Sequence, residues 1–295
     1  MPDIARVGVL GGGQMGSGIA QTAAAAGFPT VVRDLEQGFL ARGEEAIVRS
    51  LDKLVEKGKL DAATRDAALE RLTFTTRLED LAECDLVIEA VTEDLALKTG
   101  LWRALDPLCG AGTIFASNTS SLSIGDMAAA TGRPDRFVGL HFFNPVPLMP
   151  LVEVVRAVGT SRDVVERALA FVRRLGKEPI EARDRSGFVV NRLLVPYLLD
   201  AARALEQGVG TARDIDRGMQ LGCGHPMGPL TLLDFIGLDT AVRIADIMFE
   251  EFREPRFAPP PLLRRMVAAG LHGRKSGRGF YDYASDPPHP IDLGL

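Results

Sequence analysis

Short apolar runs alternate with helical spacing over the first 185 residues. Residues 4–10 (Ile-Ala-Arg-Val-Gly-Val-Leu) read as a buried strand. Residues 14–27 follow as an Ala-rich helix that Gly27 would close. Thr30-Val31-Val32-Arg33 is a second strand, ending in Asp34. Residues 36–71 have the pattern of two charged amphipathic helices broken near Gly58. Strand-like runs recur at 72–75, 85–89, 113–117, 136–141, 151–156 and 178–182, with a helix near 161–175. Such alternation predicts an α/β fold, a doubly wound, mostly parallel sheet with helices on both faces. Past Asp184-Arg185-Ser186-Gly187 the spacing turns helical, at 188–207, 211–222, 229–236, 239–254 and 259–270, with one strand at 280–283. The pattern therefore predicts a domain over 1–185, carrying a helical arm at 36–71, and a smaller all-helical domain over 186–295. The segment after Tyr283, with Pro287, Pro288 and Pro290, is expected to be a loose tail.

Composition narrows the function. The chain has 295 residues, 46% of them hydrophobic and 25% charged, values ordinary for a globular protein. Its net charge of −5 offers no basic field for nucleic acid or an anionic membrane. No apolar run is long enough for a transmembrane helix, and the N-terminus enters a strand pattern without the features of a signal peptide. Cys84, Cys109 and Cys223 lie far apart, without disulfide or metal-ligand spacing. A reducing cytoplasm and no metal are the expectations.

Gly11-Gly12-Gly13-Gln14-Met15-Gly16 lies between the first strand and the first helix. That context makes the loop a Rossmann-type dinucleotide fingerprint. Gly11 permits the tight turn, Gly13 admits a pyrophosphate, and Gly16 lets helix and strand pack closely. The pyrophosphate would sit on the helix N-terminus. Asp34, at the end of the next strand, can accept hydrogen bonds from ribose hydroxyls and would repel a 2′-phosphate. It favours NAD over NADP. Arg33 could accommodate that phosphate, but alternation along a strand points it to the opposite side.

His141 is one of only four histidines. It leads Phe142-Phe143-Asn144-Pro145, and Glu153 interrupts the apolar run Leu151-Val152-Glu153-Val154-Val155. An ionised carboxylate buried in such a run is costly unless paired. A histidine is its natural partner, and the pair would make a general acid/base. Ser117-Asn118-Thr119-Ser120-Ser121 directly follows a strand; its hydroxyls would hold a substrate oxygen, or Ser121 or Ser123 would cap a helix. Asn191 is a polar residue in an apolar helical run at the domain boundary, facing either a cleft or solvent. Ser50, Lys53 and Lys57 share one helical face, which is either a solvated surface with ion pairs or a phosphate contact for a large anionic substrate. His225, in the Pro/Gly-rich turn 223–229, reads as structural.

Taken together, the segments 11–18, 117–123, 141–155, 187–194, 225–230 and 277–283 resemble the 3-hydroxyacyl-CoA dehydrogenase family, most of all its single-function bacterial 3-hydroxybutyryl-CoA dehydrogenases. The likeness runs from about Arg6 to Tyr283. It implies a catalytic pair His141 and Glu153, with Ser120 and Asn191 orienting the substrate. It implies NAD contacts from Gly11, Gly13, Gln14, Met15, Gly16, Asp34, Asn118 and Ser120, and from Glu93, Lys98, Asn144 and Lys275 at the nicotinamide half. It also implies contacts from Ser50 and Lys57 to an acyl-CoA, with Lys53 on the same face, and a homodimer. Two other readings compete. One is a dehydrogenase of a free hydroxy acid or polyol, of the L-gulonate or carnitine type; the other is a dinucleotide-binding protein without catalysis. Nothing in the chain suggests a fused hydratase domain.

Overall fold

Side chains that alternate along each strand sort into two apolar cores, one on each face of a single sheet. The structure, a computed structural model, describes residues 4–294. Its chain divides into two units, Met1–Phe188 and Val189–Leu295.

The first unit holds strands β1 (Val7–Leu10), β2 (Thr30–Arg33), β3 (Leu72–Thr75), β4 (Leu86–Glu89), β5 (Ile114–Ser117), β6 (Phe137–Phe142), β7 (Leu151–Arg156) and β8 (Glu178–Arg183). Their order across the sheet is β3-β2-β1-β4-β5-β6-β7-β8. All neighbours pair in parallel except β6 and β7. Helices α1 (Gln14–Ala25), α2 (Gln37–Glu56), α3 (Ala62–Glu70), α4 (Leu95–Leu105), α5 (Ile124–Ala128) and α6 (Arg162–Arg174) connect them. Val7, Val9, Leu86, Ile88, Ile114 and Ala116 pack against α1, α2 and α6. Leu10, Val87, Phe115 and Phe137 pack against α4 and α5, where Trp102 is fully buried. The order β3-β2-β1-β4-β5-β6 is that of the doubly wound dinucleotide-binding sheet, and the chain reverses direction of travel at β1 and β4.

Five helices make the body of the second unit: α7 (Val190–Glu206), α8 (Ala212–Cys223), α9 (Pro229–Ile236), α10 (Leu238–Phe252) and α11 (Pro261–Ala268). Two buried carboxylates tie it together. Asp216 accepts the α9 backbone N–H groups of Leu230 and Thr231 at 2.7 and 2.9 Å and the Tyr281 hydroxyl at 2.8 Å. Asp234 accepts the N–H groups of Phe280 and Tyr281 at 2.9 and 3.0 Å and the Tyr283 hydroxyl at 3.0 Å. The expectation of a loose tail is corrected here. β10 (His289–Pro290) pairs antiparallel with β9 (Tyr281–Asp282), and Ile291 donates its N–H to Phe280 O at 3.1 Å. The prolines do not prevent this, because a two-residue edge strand needs few donors. No helix among the described residues is long and apolar enough to cross a membrane.

Candidate active site

Because β1, β2, β4, β5 and β6 run in parallel, their carboxyl ends share one edge of the sheet. Open α/β sheets bind ligands at that edge. The glycine loop leaves β1 there, and each glycine has its own reason. Gly11 has φ +106°, and a Cβ on it would meet Ala90 O at 2.7 Å. A Cβ on Gly16 would lie 1.8 Å from Gly11 O, so α1 packs too closely on the loop for any side chain. At Gly13 a Cβ would meet nothing within 4 Å. Protein packing does not demand glycine there; Gly13 borders open space in front of a helix whose N-cap has no side-chain hydrogen bond. Exposed N–H groups and vacant space fit a pyrophosphate.

Asp34 is pinned beside this loop. Its Oδ2 accepts Gly12 N at 2.6 Å and its Oδ1 accepts Leu35 N at 2.7 Å. Further lone pairs remain for ribose hydroxyls. Arg33 Nε instead donates to Thr76 O at 3.3 Å, toward β3. Gln14 is exposed and Met15 half-buried at the start of α1.

A groove of about 420 Å³ opens next to the loop. The loop, α2 residues including Arg42 and Ser50, and Asn144 to Pro147 line it. Close packing of α2 is possible because residue 43 is glycine, where a Cβ would meet Gly12 O at 2.6 Å. Lys177, largely buried, anchors the opposite wall by donating from Nζ to Val146 O at 2.6 Å and Met149 O at 2.7 Å. Burial without a counter-charge lowers its pKa. Ser50 lies in the groove; Lys53 and Lys57 are exposed beyond it and make no ion pair among the described residues.

Sequence reasoning missed one group at this edge. Glu89, at the end of β4, is fully buried. It accepts Lys98 Nζ and Ser117 Oγ at 2.6 Å each and Val91 N at 2.7 Å. Lys98, only 1% exposed, also reaches Glu93 at 3.2 Å. Burial pushes the Glu93 carboxyl up, but Lys98 and donors from Thr119 and Ser120 outweigh it and hold its pKa below the usual value. Through Glu93 the network fixes the loop after β5, because its Oε1 accepts Thr119 Oγ1 at 2.5 Å, Ser120 N at 3.2 Å and Ser121 Oγ at 3.1 Å. Ser123 caps α5, so the serines of this segment divide between capping and the site edge. Asn118 Oδ1 accepts Phe142 N at 2.9 Å, tying the loop to β6. The signal for Glu89 was present: a carboxylate closes the apolar run Leu86-Val87-Ile88, as Glu153 interrupts its own.

His141 and Glu153 are brought together by the single antiparallel pairing of the sheet. They face each other in the β6–β7 register, so cross-strand geometry makes them neighbours. His141 Nδ1 lies 2.6 Å from Glu153 Oε2. Glu153 is fully buried and His141 is 6% exposed. Phe143 and Phe188 border the imidazole, with ring centroids at 4.5 and 5.5 Å. A tautomer in which Nδ1–H donates to the carboxylate would leave Nε2 with its lone pair.

Two expected site residues belong to the second unit. Asn191 lies in the first turn of α7 and, with aliphatic side chains of α7, α9 and α10, lines a pocket of about 110 Å³. Lys275 donates to Asp239 at 2.6 Å. His225 accepts from or donates to the Tyr197 hydroxyl at 3.1 Å. No group of three or more His, Cys, Asp or Glu among the described residues is placed to hold a metal ion.

A doubly wound sheet with this glycine loop and a buried His–Glu pair defines a nucleotide-dependent oxidoreductase. Residues 6–185 match the NAD binding domain of 3-hydroxyacyl-CoA dehydrogenase, and residues 187–283 match its C-terminal domain. A 3-hydroxybutyryl-CoA dehydrogenase of Mycobacterium tuberculosis is 52% identical over 282 residues, 95% of this chain and 99% of the relative. The mitochondrial hydroxyacyl-coenzyme A dehydrogenase of Sus scrofa is 46% identical over 287 residues, 95% of this chain and 91% of the relative. The crystal structure of an (S)-3-hydroxybutyryl-CoA dehydrogenase from Ralstonia eutropha is 45% identical, with a TM-score of 0.93, covering 96% of this chain and 100% of that one. The chain belongs to the 3-hydroxyacyl-CoA dehydrogenase family.

Proposed function

We propose that this protein interconverts (S)-3-hydroxybutyryl-CoA and acetoacetyl-CoA, with His141 as the acid/base and Glu153 as its partner. The observation that carries the reading is the 2.6 Å contact between His141 Nδ1 and a fully buried Glu153. In the oxidation direction His141 Nε2 takes the proton of the 3-hydroxyl as C3 becomes a carbonyl. NAD, when bound, supplies the acceptor for the hydride that leaves C3. Glu153 fixes the imidazole through Nδ1–H and stabilises the imidazolium that forms, in surroundings that screen the charge weakly. In the reverse direction the imidazolium returns the proton to the carbonyl oxygen.

Ser120 is held by its backbone N–H on Glu93 and supports orientation of the reacting oxygen. Asn191 is assigned to substrate orientation on the family resemblance alone. Gly11, Gly13, Gly16 and Asp34 hold the cofactor, with NADH preferred over NADPH because Asp34 opposes a 2′-phosphate. Glu93, Lys98 and Asn144 serve its nicotinamide half, where Lys98 acts from within its ion-pair network; Lys275 is assigned there on the family resemblance alone, and Asn118 is a further cofactor contact. Ser50, Lys53 and Lys57 receive the nucleotide end of the acyl-CoA; two lysines without ion pairs favour an anionic ligand over a neutral surface. A homodimer is assigned on the family resemblance, and the second unit exposes Leu193, Val209 and Leu221, apolar side chains that a partner could cover.

Comparing NADH oxidation with acetoacetyl-CoA and with free acetoacetate tests this function. Turnover with the thioester and little with the free acid is the expected result. A preference for the free acid would favour the hydroxy-acid reading. NADH binding without turnover of either would favour a non-catalytic protein.

A further inference from the structure

A strained residue borders the imidazole. Phe188 has φ +45°, in the left-handed region that bulky side chains avoid. Gly187, just before it, has φ +81°, which glycine adopts freely. A phenylalanine holds such a backbone only where its surroundings over-determine it. Phe188 N donates to Arg185 O at 2.8 Å. Ser186 Oγ donates to Ser121 O at 3.1 Å, and Asp184 accepts the N–H groups of Ile124 and Gly125 at 2.9 and 2.8 Å. Residues 184–188 are thereby pinned to the loop and helix that follow β5. The ring is 6% exposed, in the apolar cluster of α4 and α5. Its centroid lies 5.5 Å from that of His141, at 59°.

One hydrogen bond fixes a point of the imidazole, not its plane. With Cβ as the other tether, a pivot of the ring about the line from Cβ to Nδ1 would swing Nε2 away while bending the bond rather than breaking it. We propose that Phe188 is a positioning residue for His141: its ring, held in place by the strained turn, blocks that pivot and excludes water from the imidazole. The proposal rests on the reading of His141 as the acid/base. It accounts for a strained backbone beside the catalytic pair, where a residue that merely filled the apolar cluster would gain nothing from strain.

The test is a double-mutant cycle in the full-length enzyme, with kcat and both KM values for acetoacetyl-CoA reduction. Misplacing a reacting group by about 1 Å can lower turnover by about 100-fold. Phe188→Ala is therefore expected to lower kcat by about 10-fold or more, with both KM values within about threefold. Phe188→Leu, which keeps apolar bulk, is expected to recover part of the loss. In a His141→Ala background Phe188→Ala should have no further effect on kcat, since no imidazole remains to be positioned. Wild-type kcat in Phe188→Ala, or the same fold loss in both backgrounds, overturns the proposal. Near-wild-type kcat in His141→Ala alone instead overturns the acid/base reading on which it rests. Should Phe188→Ala fail to fold, Phe188→Leu and Phe188→Met, each with and without His141→Ala, give the same comparison.

Discussion

Gly13→Ala separates what the protein needs from what its ligand needs. In the free protein a Cβ at residue 13 meets nothing within 4 Å, and its φ of −71° suits alanine. Two small terms then oppose each other. Removing a glycine stabilises by about 0.4–1 kcal/mol through the unfolded chain. Replacing glycine at an N-cap with alanine costs about 0.5–1.5 kcal/mol. The net change is within about 1 kcal/mol, so Tm should move by no more than about 4 °C. With the cofactor bound, the methyl group projects into the space reserved for the pyrophosphate. Overpacking of this kind costs about 1–3 kcal/mol, or about 5- to 150-fold in Kd. Gly16→Ala is the contrast, because its Cβ would sit 1.8 Å from Gly11 O and damage the free protein itself. Differential scanning fluorimetry and a fluorescence titration with NADH measure both effects. An unchanged NADH Kd in Gly13→Ala would show that the open space does not receive the pyrophosphate and would refute the reasoning.

Asp34→Ala should narrow the preference for NADH over NADPH by removing a like charge from the 2′-phosphate site; an unchanged ratio of kcat/KM values would assign that preference to another residue. Lys57→Glu should weaken acetoacetyl-CoA binding a few-fold to about tenfold, the scale of an exposed charge contact with added repulsion, and barely affect a truncated thioester without the nucleotide. Equal effects on both substrates would make that helix face plain solvated surface. Burial pushes the Asp234 carboxyl up from 3.8 to about 6, against its backbone donors Phe280 and Tyr281. A raised carboxyl stabilises the fold at low pH, and that contribution, about 3 kcal/mol at most, is lost as pH rises from 4 through 6. The difference in Tm between wild type and Asp234→Asn should therefore change across that window; parallel curves would show that Asp234 does not titrate there.

Several features were legible in the sequence because they are local. The glycine loop carries its meaning in adjacent residues, and short continuous apolar runs marked the strands as buried on both faces. His141 and Glu153 stood out by residue type. Their pairing was harder to read, since an apolar run has no direction: β6 and β7 give the same pattern whether parallel or antiparallel. Only the short 143–150 connection hints at a hairpin, and that antiparallel register is what sets the two residues opposite each other. Lys98 and Lys177 look like ordinary helix and turn charges; their burial comes from tertiary packing. Phe188 is likewise silent, because glycine before it predicts one left-handed residue, not two. The tail misled through its prolines, whose effect depends on how many donors an edge strand requires.

Turnover of acetoacetyl-CoA by purified His141→Ala at saturating NADH tests the central claim most directly, with NADH affinity measured on the same preparation. General acid–base catalysis contributes about 100- to 10,000-fold, so a loss of at least about 100-fold is predicted, with NADH binding unchanged. Turnover near that of the wild type would contradict the account.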